Sequence, residues 1–201
     1  MTAIIDYDAG NIKSVEKACA YLGCEAVTTR DEAELLAADR VILPGVGNFG
    51  DAMEKLNTYG LVPVIKRICE KRTPFLGICL GLQLLFSDSE ESPGVEGLNL
   101  LPGHIIRIPE KEGLKVPQIG WNDLKIKPGK KLFAGVEDGS YVYFVHSYYL
   151  KCDNEDDCAA TTEYGVTVHA SVERGNIFGC QFHPEKSSDV GLKILKNFMG
   201  V

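Results

Sequence analysis

The sequence predicts an α/β protein with a mostly parallel central sheet flanked by helices and with antiparallel strands added in its C-terminal half. Three observations predict it. Short apolar runs of strand length alternate with amphipathic helical stretches through the N-terminal half, the order that gives a parallel sheet with right-handed crossovers. Beyond Pro93 the texture changes to short strands separated by turns, and residues 189–199 return to a helical stripe. The 201 residues fall within the range of a single α/β domain, so one domain over 1–201 is expected.

Residues 3–6 read as the first strand. Residues 11–22 read as a helix with Val15, Ala18, Cys19 and Leu22 on one face, Asn11 as N-cap and Gly23 as its stop. Strands at 26–28 and 41–43 bracket a helix at 31–38. Residues 61–72 form a helix whose inward stripe is Leu61, Ile65, Ile68 and Cys69, and Lys71 and Arg72 suit its C-terminal end. Residues 73–83 read as a buried strand running into the corner Gly77-Ile78-Cys79-Leu80-Gly81. An apolar helix through Leu82, Leu84, Leu85 and Phe86 is expected after it. Strands at 104–108, 124–126, 141–145, 159–163, 168–173 and 177–181 are expected as antiparallel additions to the central sheet. The last helix turns Val190, Ile194, Leu195 and Phe198 inward.

Composition excludes several classes. Apolar residues make up 45% and charged residues 24%, as in ordinary globular proteins, with no run long enough to span a membrane. The N-terminus has neither the basic region nor the cleavage site of a signal peptide, so a cytoplasmic protein is expected. A net charge of −7 argues against a nucleic-acid footprint, and Lys125, Lys127, Lys130 and Lys131 read as a wet hairpin surface. Seven cysteines, an odd number, do not suit a disulfide framework. Cys152 and Cys158 bracket the acidic run 153–157, but no C-x-x-C pair or nearby histidine supports zinc. A solvated turn and no metal are expected.

The chemistry gathers at the carboxyl ends of the strands, where ligands bind in such sheets. Cys79 sits at a tight strand-to-helix corner that its flanking glycines keep uncrowded, with free N–H groups and the positive helix end favouring an anion there. It reads as a nucleophile, against the plainer alternative of a small packed thiol. After the third strand, Pro44-Gly45-Val46-Gly47-Asn48-Phe49-Gly50 is glycine-rich enough to bring backbone N–H groups close to a ligand. It lacks the lysine and spacing of a nucleotide loop, so oxyanion donors are the better reading. His183 emerges from a buried strand, and Glu185, held beyond Pro184, can reach back to its imidazole. Of the four histidines, His104 and His169 read as structural or surface groups. A corner cysteine, a donor loop and a histidine–carboxylate pair make a complete acyl-transfer set.

G-I-C-L-G-x-Q followed far downstream by F-H-P-E resembles the class I (triad) glutamine amidotransferases, which release ammonia from glutamine through a cysteine thioester. The segments 44–49, 81–91, 117–122, 143–148 and 183–187 are similar to one branch of that family, the glutaminase subunits of imidazole glycerol phosphate synthase in histidine biosynthesis. The resemblance implies Cys79 as nucleophile, His183 and Glu185 as its base and orienter, and oxyanion donors at Leu80 and at Val46 or Gly47. It further implies glutamine contacts from Gly47, Gln83, Glu91 and the backbone of Ser147 and Tyr148. It implies no cofactor, and L-glutamine as substrate. As ammonia acceptor it implies a separate (β/α)8-barrel cyclase in a heterodimer, faced by Asn11, Ser14, Trp121, Tyr143 and Lys186. A β-branched Val46 between two glycines could hold its N–H away from the site until the loaded partner favours the flipped peptide. Three other readings remain open: another triad amidotransferase, a cysteine peptidase or esterase, and a binding module with a dead site.

Overall fold

The computed structural model describes residues 1–8 and 11–201. In chain order its N-terminal half runs β1 (Thr2–Ile5), α1 (Ile12–Tyr21), β2 (Ala26–Thr29), α2 (Glu32–Ala37), β3 (Arg40–Gly45), α3 (Phe49–Thr58), α4 (Leu61–Glu70), β4 (Phe75–Cys79) and the single turn α5 (Leu80–Gln83). The C-terminal half is mostly strand: β5 (Asp88–Ser89), β6 (Gly103–Arg107), β7 (Gln118–Asp123), β8 (Lys125–Ile126), β9 (Tyr141–His146), β10 (Tyr148–Cys152), β11 (Cys158–Glu163), β12 (Thr167–Arg174) and β13 (Ile177–Cys180), closed by α6 (Ser188–Met199).

The main sheet has eight strands in the order β2-β1-β3-β4-β13-β12-β11-β8. β2, β1, β3, β4 and β13 run parallel, and β12, β11 and β8 follow, each antiparallel to the strand before it. Every residue of β1 and of β4 is buried, as expected for strands covered on both faces. The alternation of side chains divides the core in two. Ala3, Ile5, Val41 and Leu43 face the leucine and isoleucine stripes of α3 and α4. Ile4, Ile42, Leu76 and Ile78 face Val15 and Cys19 of α1 and Ile194, Leu195 and Phe198 of α6.

Local chemistry sets the helix ends. The Asp31 carboxylate accepts from Glu34 N–H at the start of α2, and Asn48 Oδ1 accepts from Gly50 and Asp51 N–H at the start of α3. Gly23 follows α1 with φ of +71°, the left-handed stop that glycine adopts freely. Asn11 stands at the N-cap of α1 without a capping hydrogen bond; its Oδ1 accepts from the Ser14 hydroxyl instead.

Several expectations are corrected. Helix α3 was not expected, because its stripe of Phe49, Ala52, Met53 and Leu56 begins inside what reads as a glycine loop. The helix expected through Phe86 ends at Gln83: Leu98 and Leu100 N–H groups take the carbonyls of Leu84 and Leu85, so the chain leaves the helix while staying buried. Only part of the C-terminal strands joins the central sheet, and β13, expected as an antiparallel addition, runs parallel to β4. β10, β6 and β5 form a small separate sheet, and β7 and β9 form a two-stranded ribbon. β7 and β10 are strands that the apolar pattern of the sequence does not predict.

Candidate active site

Three neighbouring strands, β3, β4 and β13, end side by side, with Gly45 in register with Cys79 and Ile78 with Cys180. That order places the glycine loop, the cysteine corner and the His183 turn at one edge. Cys79 has φ of +55° and ψ of −111°, a conformation L residues rarely adopt and one that persists where the surroundings impose it. Packing explains the flanking glycines. A Cβ on Gly81 would lie 1.9 Å from the Leu43 carbonyl oxygen, and one on Gly77 would lie 2.5 Å from the Gly81 oxygen. Gly47 is different: a Cβ there would meet nothing within 4 Å, but its φ is +99°.

His183 and Glu185 form a buried pair, with Nδ1 2.8 Å from Glu185 Oε1 and side chains 2% and 1% exposed. The carboxylate accepts from Nδ1–H, which leaves Nε2 to face the reaction. Nε2 is buried without a hydrogen-bond partner, an orphan that a reacting sulfur or nitrogen would satisfy. Burial works against protonation of His183, but Cys79 and Glu185 beside it outweigh that and raise its pKa to about 9.

In front of Cys79 lies a cavity of about 310 Å³, within the range of small-molecule sites. Cys79, Leu80, His183, Val46 and Gly47 line its reactive end, and Gln83, Glu91, Ser147 and Tyr148 line the remainder. Glu185 stands behind His183 rather than in the cavity. Glu91, which in the sequence is one of an acidic run, is anchored by accepting from Phe49 N–H at 2.8 Å, at the start of α3. Gln83 donates to the Tyr148 carbonyl at 2.9 Å and to Gln181 Oε1 at 3.0 Å.

The five residues expected to face a partner lie outside this cavity. Asn11 and Ser14 sit at the start of α1, Lys186 is exposed in the turn after His183, and Trp121 pairs across the ribbon with Tyr143. α1 and β9 both pack against the Pro184–Lys186 turn, so these residues gather around one structural feature. Trp121 is 52% exposed, which decides between an outward and a core tryptophan. Among the described residues, no group of three or more His, Cys, Asp and Glu side chains could hold a metal. No helix of the described residues is long and apolar enough to cross a membrane.

Sequence reasoning missed several residues here. Tyr7, buried, donates its hydroxyl to the Pro44 carbonyl at 2.8 Å and so pins the glycine loop from below; burial pushes its phenol well above the ordinary value. His146 and Gln118 are buried beside Tyr148, and Gln181 lies 3.8 Å from the Cys79 sulfur. Gln181 directly precedes F-H-P-E, and His146 precedes Ser147-Tyr148, so adjacency to motif residues was the one signal available. His169 accepts from Cys152 N–H and His104 pairs with Asp88 at the surface, both away from the cavity.

Comparison with known proteins bears on this geometry. The profile of the family described as glutamine amidotransferase class-I matches residues 3–200. The imidazole glycerol phosphate synthase subunit HisH of Bacillus mycoides (strain KBAB4) is 54% identical over 201 residues, all of this chain and 95% of that protein. HisH of Bacillus cereus (strain G9842) is 52% identical with the same coverage. A solved glutamine amidotransferase shares the fold at a TM-score of 0.76 and 20% identity, each chain covered to 99%. With a family match over residues 3–200 and more than half of all positions identical to HisH proteins along its whole length, the chain belongs to the class-I glutamine amidotransferase family and, within it, to the HisH subunits of imidazole glycerol phosphate synthase.

Proposed function

We propose that this chain, as one catalytic domain over residues 1–201, hydrolyses L-glutamine to L-glutamate and ammonia through a thioester on Cys79. The ammonia passes to a partner cyclase that makes imidazole glycerol phosphate and aminoimidazole carboxamide ribonucleotide in L-histidine biosynthesis. The observation that carries the reading is the cavity itself, in which a strained corner thiol and the unpartnered Nε2 of a carboxylate-held histidine meet one small-molecule space.

Cys79 attacks the side-chain carbonyl carbon of glutamine as the thiolate, its proton held on His183. The N–H of Leu80 and that of Val46 or Gly47 receive the oxyanion, each donor lowering the barrier by about 3 kcal/mol. His183 Nε2 protonates the departing nitrogen, the C–N bond breaks, and ammonia leaves a thioester. Neutral His183 then takes a proton from water, which attacks the thioester and releases glutamate. Glu91 meets the substrate ammonium group, the Ser147 and Tyr148 backbone meets its carboxylate, and Gln83 borders the bound amide.

The proton on His183 sets a pH limit. Because its pKa is raised to about 9, the imidazolium needed for ammonia release persists through neutrality and is lost as pH climbs through that value. We expect kcat/KM to fall on the alkaline side near pH 9. Glu185→Gln removes a charge that raises the pKa, so the limb moves to lower pH, as a pH–rate profile would read. An unmoved limb would dissociate it from His183.

The partner is read as a separate (β/α)8-barrel subunit. An outward ribbon face carrying Ile119, Trp121 and Tyr141, each more than half exposed, supports a docked protein there. A cytoplasmic setting suits seven free cysteines. The test is glutamine hydrolysis by the chain alone, with the cyclase, and with the cyclase loaded with its nucleotide substrate. Strong stimulation in the last mixture, weakened by Trp121→Ala at fixed subunit concentrations and restored by excess cyclase, is the expected result. Hydrolysis indifferent to the cyclase would move the enzyme to another pathway. A stimulated rate would also fit a Val46 peptide that turns its N–H inward only in the loaded complex.

A further inference from the structure

A continuous hydrogen-bonded chain of buried side chains runs beneath the cavity and ends on the nucleophile. Its direction is fixed at the Tyr148 carbonyl, which can only accept. Gln83 must therefore turn its NH2 group toward that oxygen, at 2.9 Å. The second hydrogen of the same NH2 goes to Gln181 Oε1 at 3.0 Å. With its oxygen so occupied, Gln181 can present only its NH2 to the Cys79 sulfur, 3.8 Å away. The other side of Tyr148 obeys the same logic. His146 Nδ1 lies 2.9 Å from that carbonyl and must donate to it. Burial lowers the pKa of His146 to about 4, and its Nε2 lies 2.9 Å from Gln118 Oε1. Gln181 is fully buried, and Gln83, Gln118 and His146 are 5%, 2% and 6% exposed.

No catalytic step uses Gln181, yet a fully buried amide with a predetermined donor against a sulfur is costly to assemble unless that contact is made. We propose that Gln181 is a positioning residue for the nucleophile: its side-chain NH2 donates to the Cys79 sulfur and holds it toward His183, in a polarity dictated by Gln83 and the Tyr148 carbonyl. The inference rests on the reading of Cys79 as the nucleophile. It acts on the sulfur rather than on the substrate, because Gln181 is fully buried and does not line the cavity. Gln83, with both NH2 hydrogens taken, can offer the cavity only its Oε1.

The test is Gln181→Met, which keeps the volume and removes the donor, assayed for kcat and KM in the complex with the cyclase and for alkylation of Cys79 by iodoacetamide in the chain alone. Loss of one hydrogen bond to a charged group predicts a fall in kcat of about 10- to 100-fold with KM within about twofold. Alkylation of Cys79, located by peptide mass mapping, should slow in parallel. If the folded variant keeps both rates within about twofold, or raises KM with kcat unchanged, the proposal is overturned. Should Gln181→Met fail to fold, Gln181→Glu keeps an acceptor for Gln83, puts oxygen against the sulfur and is judged by the same two rates. Alkylation needs no glutamine, so a wrong substrate assignment would leave that arm intact and show itself separately.

Discussion

Cys79→Ala lowers glutamine hydrolysis in the loaded complex by about 10⁴-fold or more, because removing the nucleophile of a covalent mechanism leaves only binding and oxyanion stabilisation. No other thiol can substitute. Cys180, the neighbouring strand's cysteine, is fully buried, and its pKa is pushed far up by desolvation. The fold should survive, since the methyl of alanine fits where a side chain 7% exposed stood, and the φ of +55° is imposed on either residue. Steady-state kinetics beside a thermal melt read both parts. The variant also tests His183: without the sulfur, one of the two groups raising its pKa is gone while burial still lowers it, so its NMR titration should move down from about 9. A variant that retained turnover within tenfold would remove Cys79 from the chemistry.

Gly81→Ala abolishes the native corner. The added methyl would stand 1.9 Å from the Leu43 carbonyl oxygen, and Leu43 is locked in register with Gly77 of β4, so neither backbone can retreat. A cost of about 3 kcal/mol or more follows from an overlap that rotamer changes cannot relieve. Gly23→Ala provides the contrast. Its Cβ would meet nothing within 4 Å, and only the left-handed φ of +71° resists it, so a cost of about 1 kcal/mol is expected. Urea unfolding of the two variants separates close approach from backbone conformation. Equal costs would show that Gly81 is not a packing requirement.

What was legible in the sequence is what is encoded locally. The apolar periods of α1, α4 and α6 and the runs of β1, β3 and β4 gave those elements within a few residues. The catalytic corner announced itself through Gly77-Ile78-Cys79-Leu80-Gly81, and His183 and Glu185 are close enough in the chain for their pairing to follow from spacing. Helix α3 was hidden because Asn48 caps it from within a glycine loop, and the helix after Cys79 was overextended because leucines that are buried look helical whether or not the backbone is.

The tertiary structure decided how distant segments meet. Cys79 faces His183 only because β13, the last strand, lies in parallel beside β4 in the middle of the sheet, an order no periodicity contains. The same insertion brings Gln181 to the sulfur, while the turn between β9 and β10 delivers His146 and Tyr148 to Gln83. Trp121 points outward because it pairs with Tyr143 on the face of the ribbon opposite Val142 and Phe144, which are buried in the core. A sequence by itself determines which side of each element is apolar and which residues can turn, cap or react. The partner across the gap is chosen by the sheet order that buries those apolar sides together, and that choice is made by the whole chain at once.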